Sequence, residues 1–267
     1  MNLAIVGTGT MGKLVYELAA QNHTIEKIWS IEPAMGETLW DLGKSLEGMG
    51  PSGVGLVQGE WARQARQRIP EGEGIDVIID FSHPRALPMI KDYVTRQDGK
   101  AALVIATTGY DEDKEREIKE LAETVPVLKN SNFSYGINMM KKILVQMSET
   151  LGDISDIEII EKHHSQKIDA PSGTALLLAD AIDPAASRRR LCGRRGESRR
   201  GNEIGLHSVR GGTIFGEHTV IFAMKDEVIE LRHTAFSKEI FAKGAIDAAL
   251  WIKGREPGYY SFDNMLY

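Results

Sequence analysis

The densest chemistry in the chain lies in one short stretch, Glu161-Lys162-His163-His164-Ser165-Gln166-Lys167-Ile168-Asp169-Ala170-Pro171-Ser172-Gly173-Thr174-Ala175. Histidine exchanges a proton near neutral pH, so His163 and His164 are candidates for acid–base work. Lys167 is a second candidate, because an amine beside a cationic neighbour can have its pKa lowered into a useful range. The Pro-Ser-Gly-Thr turn leads into an apolar helical pattern over 175–181. Gly173 and Thr174 then fall at a helix start, where backbone N–H groups and a hydroxyl can hold a carboxylate. Proton transfer to an anionic substrate fits this set. Metal binding fits poorly: adjacent residues on a strand face opposite ways, and no cysteine or further histidine stands nearby at ligand spacing.

A second set opens the chain. Gly7-Thr8-Gly9-Thr10-Met11-Gly12 is a G-x-G-x-x-G element between an apolar strand pattern and a helical one. The first glycine allows a tight turn, the second lets a pyrophosphate approach the backbone, and the third lets helix and strand pack closely. Glu32 stands twenty positions beyond Gly12, where a carboxylate accepts hydrogen bonds from the adenosine ribose. Pro33 follows it instead of an arginine for a 2′-phosphate, so NADH is expected to serve at least as well as NADPH. Two further turns, Asp80-Phe81-Ser82 and Ala106-Thr107-Thr108-Gly109, follow strand patterns and would lie at the ligand edge of such a sheet.

These groups need a frame, and hydrophobic periodicity supplies one. Leu3 to Val6, Ile25 to Ile31, Ile75 to Phe81, Ala101 to Ala106 and Pro126 to Lys129 read as strands. Met11, Leu14, Val15, Leu18 and Ala19, and later Ile118, Leu121, Ala122 and Val125, mark amphipathic helices between them. Strands alternating with helices predict a parallel sheet with crossovers. Residues 35–68 read only as a glycine-dotted, loop-rich stretch. After residue 130 a helical stripe from Ile137 to Leu151 precedes alternating strands at 157–162, 206–210, 218–223 and 228–235. Lys225-Asp226-Glu227 suggests a hairpin turn, and Ile240 to Ile252 a last helix. The expected fold class is α/β: a Rossmann-like dinucleotide-binding domain (1–130 with 237–267) and an α+β substrate and oligomerisation domain (131–236) with a mixed or antiparallel sheet.

Composition narrows the classes. The chain has 267 residues, 42% of them hydrophobic and 26% charged, which suits one large or two small globular domains and excludes collagen-like or disordered chains. Its single cysteine, Cys192, rules out an internal disulfide and suggests a reducing, cytoplasmic setting. No apolar run reaches a membrane span, and the N-terminus lacks the look of a secretory signal. The net charge of −6 hides a basic segment, Ser187 to Gly201, with seven arginines and one glutamate. Without interleaved aromatics, and with an acidic remainder, it is expected to be a mobile, solvated loop, with a small anion as an occasional partner, and not a nucleic-acid surface.

Taken with GTGTMG at Gly7, DFS at Asp80, ATTG at Ala106, NSNFSYGIN at Asn130, SVRGGTIFGEHTV at Ser208 and AKGAIDAALWI at Ala242, the histidine segment resembles the dihydrodipicolinate reductases of lysine synthesis. The resemblance spans nearly the whole chain. It implies NADH- or NADPH-dependent reduction of 4-hydroxy-tetrahydrodipicolinate, a cyclic dicarboxylate, by a homotetramer. It implies that His163 donates and accepts a proton, that Lys167 donates one, and that His164, Gly173 and Thr174 contact the carboxylates. The cofactor would touch Gly7 to Gly12, Glu32, Ala106 to Thr108, and Asn130, Ser131, Asn132 and Phe133. The glycine loop is one residue shorter than in many members, and the arginine content of 187–201 is unusual. Two alternatives share the glycine loop: another NAD(P)-dependent dehydrogenase of a small amino or keto acid, and a non-enzymatic NAD-binding redox sensor. Neither calls for the histidine–lysine segment.

Overall fold

A computed structural model of the chain describes residues 1–31, 44–45, 74–96 and 101–266. They form two compact units, 1–133 with 238–267, and 134–237.

In chain order the first unit runs β1 (Asn2–Val6), α1 (Thr10–Ala19), β2 (Lys27–Ile31), β3 (Lys44–Ser45), β4 (Val77–Asp80), α2 (Leu87–Arg96), β5 (Ala102–Ile105), α3 (Glu112–Leu121) and β6 (Pro126–Lys129). The second unit holds α4 (Tyr135–Leu151), β7 (Asp156–His163), α5 (Gly173–Ile182), β8 (Arg189–Cys192), β9 (Glu203–Arg210), β10 (Gly216–Ala223) and β11 (Val228–Ala235). The chain then returns to the first unit with α6 (Glu239–Ile252) and β12 (Gly258–Tyr260).

The first sheet has the order β12-β6-β5-β4-β1-β2-β3, parallel except for the antiparallel β3. Every residue of β4 and β5 is buried. That explains their continuous apolar runs, since helices cover both faces. One face packs Ile90, Tyr93 and Val94 of α2 and Ile118 and Leu121 of α3. The other packs Val15 and Ala19 of α1 with Ala245, Ala248, Ala249 and Ile252 of α6. Each fully buried aliphatic or aromatic side chain contributes roughly 1.5–3 kcal/mol. After β2 and β3 the chain crosses to pair β4 with the free side of β1, so the strand order reverses between β1 and β4. Open α/β sheets bind ligands at such a reversal, beyond the carboxyl ends of the strands.

The second sheet is mixed, with the order β11-β10-β7-β9-β8. Strand β10 runs antiparallel to β7 and β11, while β9 runs parallel to β7 and β8. Alternate residues of β7 are buried, and Ile157 and Ile159 pack with Met140 and Leu144 of α4 and Leu178 and Ile182 of α5. Glu161 and His163 lie on that same inner side, by the two-residue period of a strand.

The structure adds three elements and corrects one reading. Helix α2, with Leu87, Ile90, Tyr93 and Val94 at helical spacing, and the short strands β8 and β12 lie outside the elements expected from the sequence. The arginine segment is not a free loop. It contains β8, and five of its arginines pair with carboxylates: Arg188 with Asp153, Arg190 with Asp183 at 3.1 Å, Arg189 at 2.7 Å and Arg194 with Glu203, and Arg200 with Asp156 at 2.7 Å. Buried Glu203 is held by two guanidinium groups, which compensates the desolvation of its charge. Of the loop-rich stretch 35–68, only 44–45 lie within the described residues, as β3 beside β2.

Candidate functional site

The first site grows from the turn after β1. Gly7 has φ +103, a conformation L side chains rarely adopt, and a Cβ there would stand 2.5 Å from the carbonyl oxygen of Phe81. A Cβ on Gly12 would stand 1.8 Å from the carbonyl of Gly7. Packing thus forces both glycines. Gly9 differs: it is the N-cap of α1 at φ −70, and a Cβ would meet nothing within 4 Å. No side chain caps α1 and no acid stands in its first turn, so its positive end is open to an anion. Open space above Gly9 together with an uncapped helix start is the cradle a pyrophosphate needs, and Thr8, Thr10 and Met11 belong to the same turn. The chain fits a dinucleotide.

A cavity of about 300 Å³ adjoins this turn, lined by Met11, Phe81, Ser82, His83, Pro84 and the run from Ala106 to Gly109. Asp80, at the end of β4 and 1% exposed, organises its wall. Its carboxylate accepts bonds from the backbone N–H of Ser82 at 3.0 Å, from the Ser82 hydroxyl and from the Tyr110 hydroxyl at 3.1 Å. The Thr107 hydroxyl in turn accepts the Ser82 N–H at 2.9 Å. Burial pushes the Asp80 carboxyl up in spite of these bonds. The Asp80 and Ala106 turns therefore meet as one wall, with Thr107 buried and Thr108 exposed.

Asn130 to Phe133 follow β6. The Asn130 N–H bonds the carbonyl of Ile105 at 3.1 Å, and its side-chain amide bonds the carbonyl of Asn132. Ser131 is exposed and Asn132 buried. Phe133 is a core residue, its ring 6.1 Å from that of Phe81 and 5.9 Å from that of Phe262. Glu32 lies outside the described residues.

The second site is built at the end of β7. His163 Nδ1 is 2.5 Å from Glu161 Oε2. Arg210, the last residue of β9, grips the same carboxylate with two nitrogens, each at 2.7 Å. The Ser172 N–H bonds Glu161 Oε1 at 3.1 Å, tying the turn before α5 to β7. Glu161 is 1% exposed; burial pushes its carboxyl up, but bonds from Arg210, Ser208 and His163 outweigh that and hold it at about 2. Burial lowers the His163 imidazole, and Glu161 opposes this. The edge of His218 stands against the His163 ring, centroids 5.2 Å apart. Burial drives His218 to about 4, and its Nε2 lies 2.9 Å from the Ser172 hydroxyl.

The other groups of the segment fall nearby. His164 follows the strand directly, and its carbonyl accepts the Lys167 N–H at 3.1 Å. Lys167 Nζ pairs with Asp169 at 2.7 Å, and Lys167 lies close enough to His163 to act on its charge. Ser172 caps α5 by accepting the Ala175 N–H at 3.1 Å, which puts Gly173 and Thr174 in the first turn. Sequence reasoning gave no role to Glu161, Arg210 or His218. Glu161 was findable, since it lies two residues before His163 on a strand. Arg210 and His218 come from other strands and had no local signal.

A dinucleotide cradle at a sheet's switch point, in a chain that also carries a preorganised histidine and lysine, defines a nicotinamide-dependent oxidoreductase. Family models narrow this: one described as dihydrodipicolinate reductase, N-terminus, matches residues 1–133, and one described as dihydrodipicolinate reductase, C-terminus, matches 136–266. The chain belongs to the dihydrodipicolinate reductase family.

Relatives agree along the full length. A 4-hydroxy-tetrahydrodipicolinate reductase of Exiguobacterium sp. is 40% identical over 99% of this chain and 95% of its own. One from Pseudomonas fluorescens is 36% identical, covering 99% and 98%. The solved dipicolinate-bound dihydrodipicolinate reductase from Paenisporosarcina sp. TG-14 superposes with a TM-score of 0.71 at 22% identity, over 99% of both chains, and shares the fold.

Proposed function

We propose that the chain reduces 4-hydroxy-tetrahydrodipicolinate to tetrahydrodipicolinate, with loss of the 4-hydroxyl as water, in lysine and diaminopimelate synthesis. Family membership supports the reaction, and one observation carries its chemistry: an imidazole locked at Nδ1 in the same short segment as an amine and a helix start.

The nicotinamide, when bound, supplies a hydride. Gly7, Thr8, Gly9, Thr10, Met11 and Gly12 hold its diphosphate, and Glu32 the adenosine ribose. Ala106, Thr107, Thr108 and Asn130 to Phe133 line its seat. His163 gives, from Nε2, the proton that balances the added hydride. Lys167 Nζ protonates the departing hydroxyl, and the adjacent ring carbon releases a proton to solvent as the double bond forms, so one net proton is taken up per hydride. His164, the Gly173 N–H and the Thr174 hydroxyl anchor the two carboxylates, which would be costly to desolvate unpaired. The unit 1–133 with 238–267 serves as the cofactor domain, and 134–237 as the substrate and oligomerisation domain.

The family resemblance supports a homotetramer, which light scattering on the purified protein would test. A cytoplasmic setting agrees with the single cysteine, and among the described residues no helix is long and apolar enough to cross a membrane. The carboxylate of Glu32 favours NADH at least as much as NADPH; a catalytic efficiency far higher with NADPH would sink that preference. The deciding assay follows NADH oxidation with aspartate semialdehyde, pyruvate and their condensing enzyme. Consumption only when all three are present supports the reaction, and none under any order of addition refutes it.

A further inference from the structure

The carboxylate beside His163 has a task that begins with hydrogen-bond bookkeeping. An ionised carboxylate only accepts, so His163 Nδ1, 2.5 Å from Glu161 Oε2, must be the donor. Whatever proton the ring exchanges then leaves or arrives at Nε2. No hydrogen bond to Nε2 is found among the described residues, and a Cβ on Gly216 would come within 3.3 Å of it. Gly216 therefore leaves room at that nitrogen.

Glu161 could in principle compete for the proton, because a short bond to a buried carboxylate invites sharing. Arg210 prevents this. Two parallel N–H···O bonds of 2.7 Å neutralise the carboxylate where it sits. The Arg210 guanidinium is itself anchored, since it also donates to the carbonyls of Val209 and Asp169. The dyad thus has a built backing from β9 as well as its own strand.

Building on the reading that His163 transfers the proton, we propose that Glu161 and Arg210 are positioning residues for this reaction. Glu161 fixes the tautomer and rotation of His163 through Nδ1–H, and Arg210 keeps Glu161 an acceptor, leaving Nε2 as the single exchanging atom. The arrangement parallels the orienting carboxylate of a hydrolase triad, which holds an imidazole without taking its proton. Around the ring stand Glu161 from its own strand, Arg210 from β9, Lys167 from the following turn and His218 from β10. Of these only Glu161 favours the protonated imidazole.

The test uses the full-length protein with ¹⁵N-labelled histidine. The His163 resonances, assigned by their loss in His163→Gln, should report a neutral ring protonated at Nδ1 with a low-field proton. A neutral ring protonated at Nε2 and bare at Nδ1 overturns the proposal. In turnover, Glu161→Gln should lower kcat roughly 10- to 100-fold, less than loss of the imidazole, with KM for substrate and Kd for NADH within about twofold. The alkaline limb of kcat should move to lower pH, because the group favouring the charged ring is gone. An unchanged kcat and pH profile overturns the proposal, as does a rise in KM alone. Should Glu161→Gln not fold, the pair Glu161→Gln with Arg210→Met removes both charges, and loss of the low-field proton is expected there. Near-wild-type turnover of His163→Ala would instead remove the proton-transfer reading, while the tautomer result stands by itself.

Discussion

Gly12 sits against Gly7 so closely that a Cβ on one would be 1.8 Å from the carbonyl oxygen of the other, whereas a Cβ on Gly9 between them would touch nothing. The three glycines of one loop thus answer to different masters. Gly12→Ala must push α1 off the strand, at about 1–3 kcal/mol or more. Gly9→Ala should leave the melting temperature nearly unchanged and weaken NADH binding at least tenfold. Equal effects on stability and binding in the two variants would refute this division; thermal melts and fluorescence titration decide it.

Loss of either proposed proton donor should strike turnover and spare the cofactor. His163→Ala and Lys167→Ala are each expected to lower kcat by about 10²–10⁴, with NADH affinity little altered because neither residue belongs to the glycine-loop unit. Steady-state kinetics beside equilibrium NADH titration would show it.

At the first turn of α5 the expected signature is different. Thr174→Val removes a hydroxyl proposed to hold a substrate carboxylate in ground state and transition state alike, so KM should rise several-fold while kcat holds. A fall in kcat with constant KM would assign Thr174 to the chemical step instead.

Acid should find Glu161. Its carboxyl is held at about 2 in the fold against an ordinary 4.5, so the folded state binds fewer protons than the unfolded one. The stabilisation is complete above about pH 4.5 and drains away as pH falls toward 2. Glu161→Gln should flatten that part of the melting curve against pH. It should also lose on the order of 3 kcal/mol at neutral pH, since Arg210 is left beside an uncharged partner. Calorimetric scans from pH 6 to pH 2 on both proteins would measure the two effects.

Much of this molecule was legible from its one-dimensional pattern. The glycine turn, the buried runs of β4 and β5, the alternation of β7, the β10–β11 hairpin with Asp226 at φ +69, and the helix start at Gly173 are all properties of residues within a few positions of one another. Strand period, helix period and turn chemistry act at that range, so local sequence sufficed to place His163, Lys167 and Gly173 on one short segment. What tertiary structure alone decided came from pairings distant in the chain. Arg210 reaches Glu161 from 49 residues away because β9 lies parallel to β7, and His218 meets His163 because β10 lies antiparallel to it. The arginines of 187–201 read as a solvated basic tract until the fold brought Asp153, Asp156, Asp183 and Glu203 against them. Charge partners are chosen by register between strands, and that register is set by the whole core.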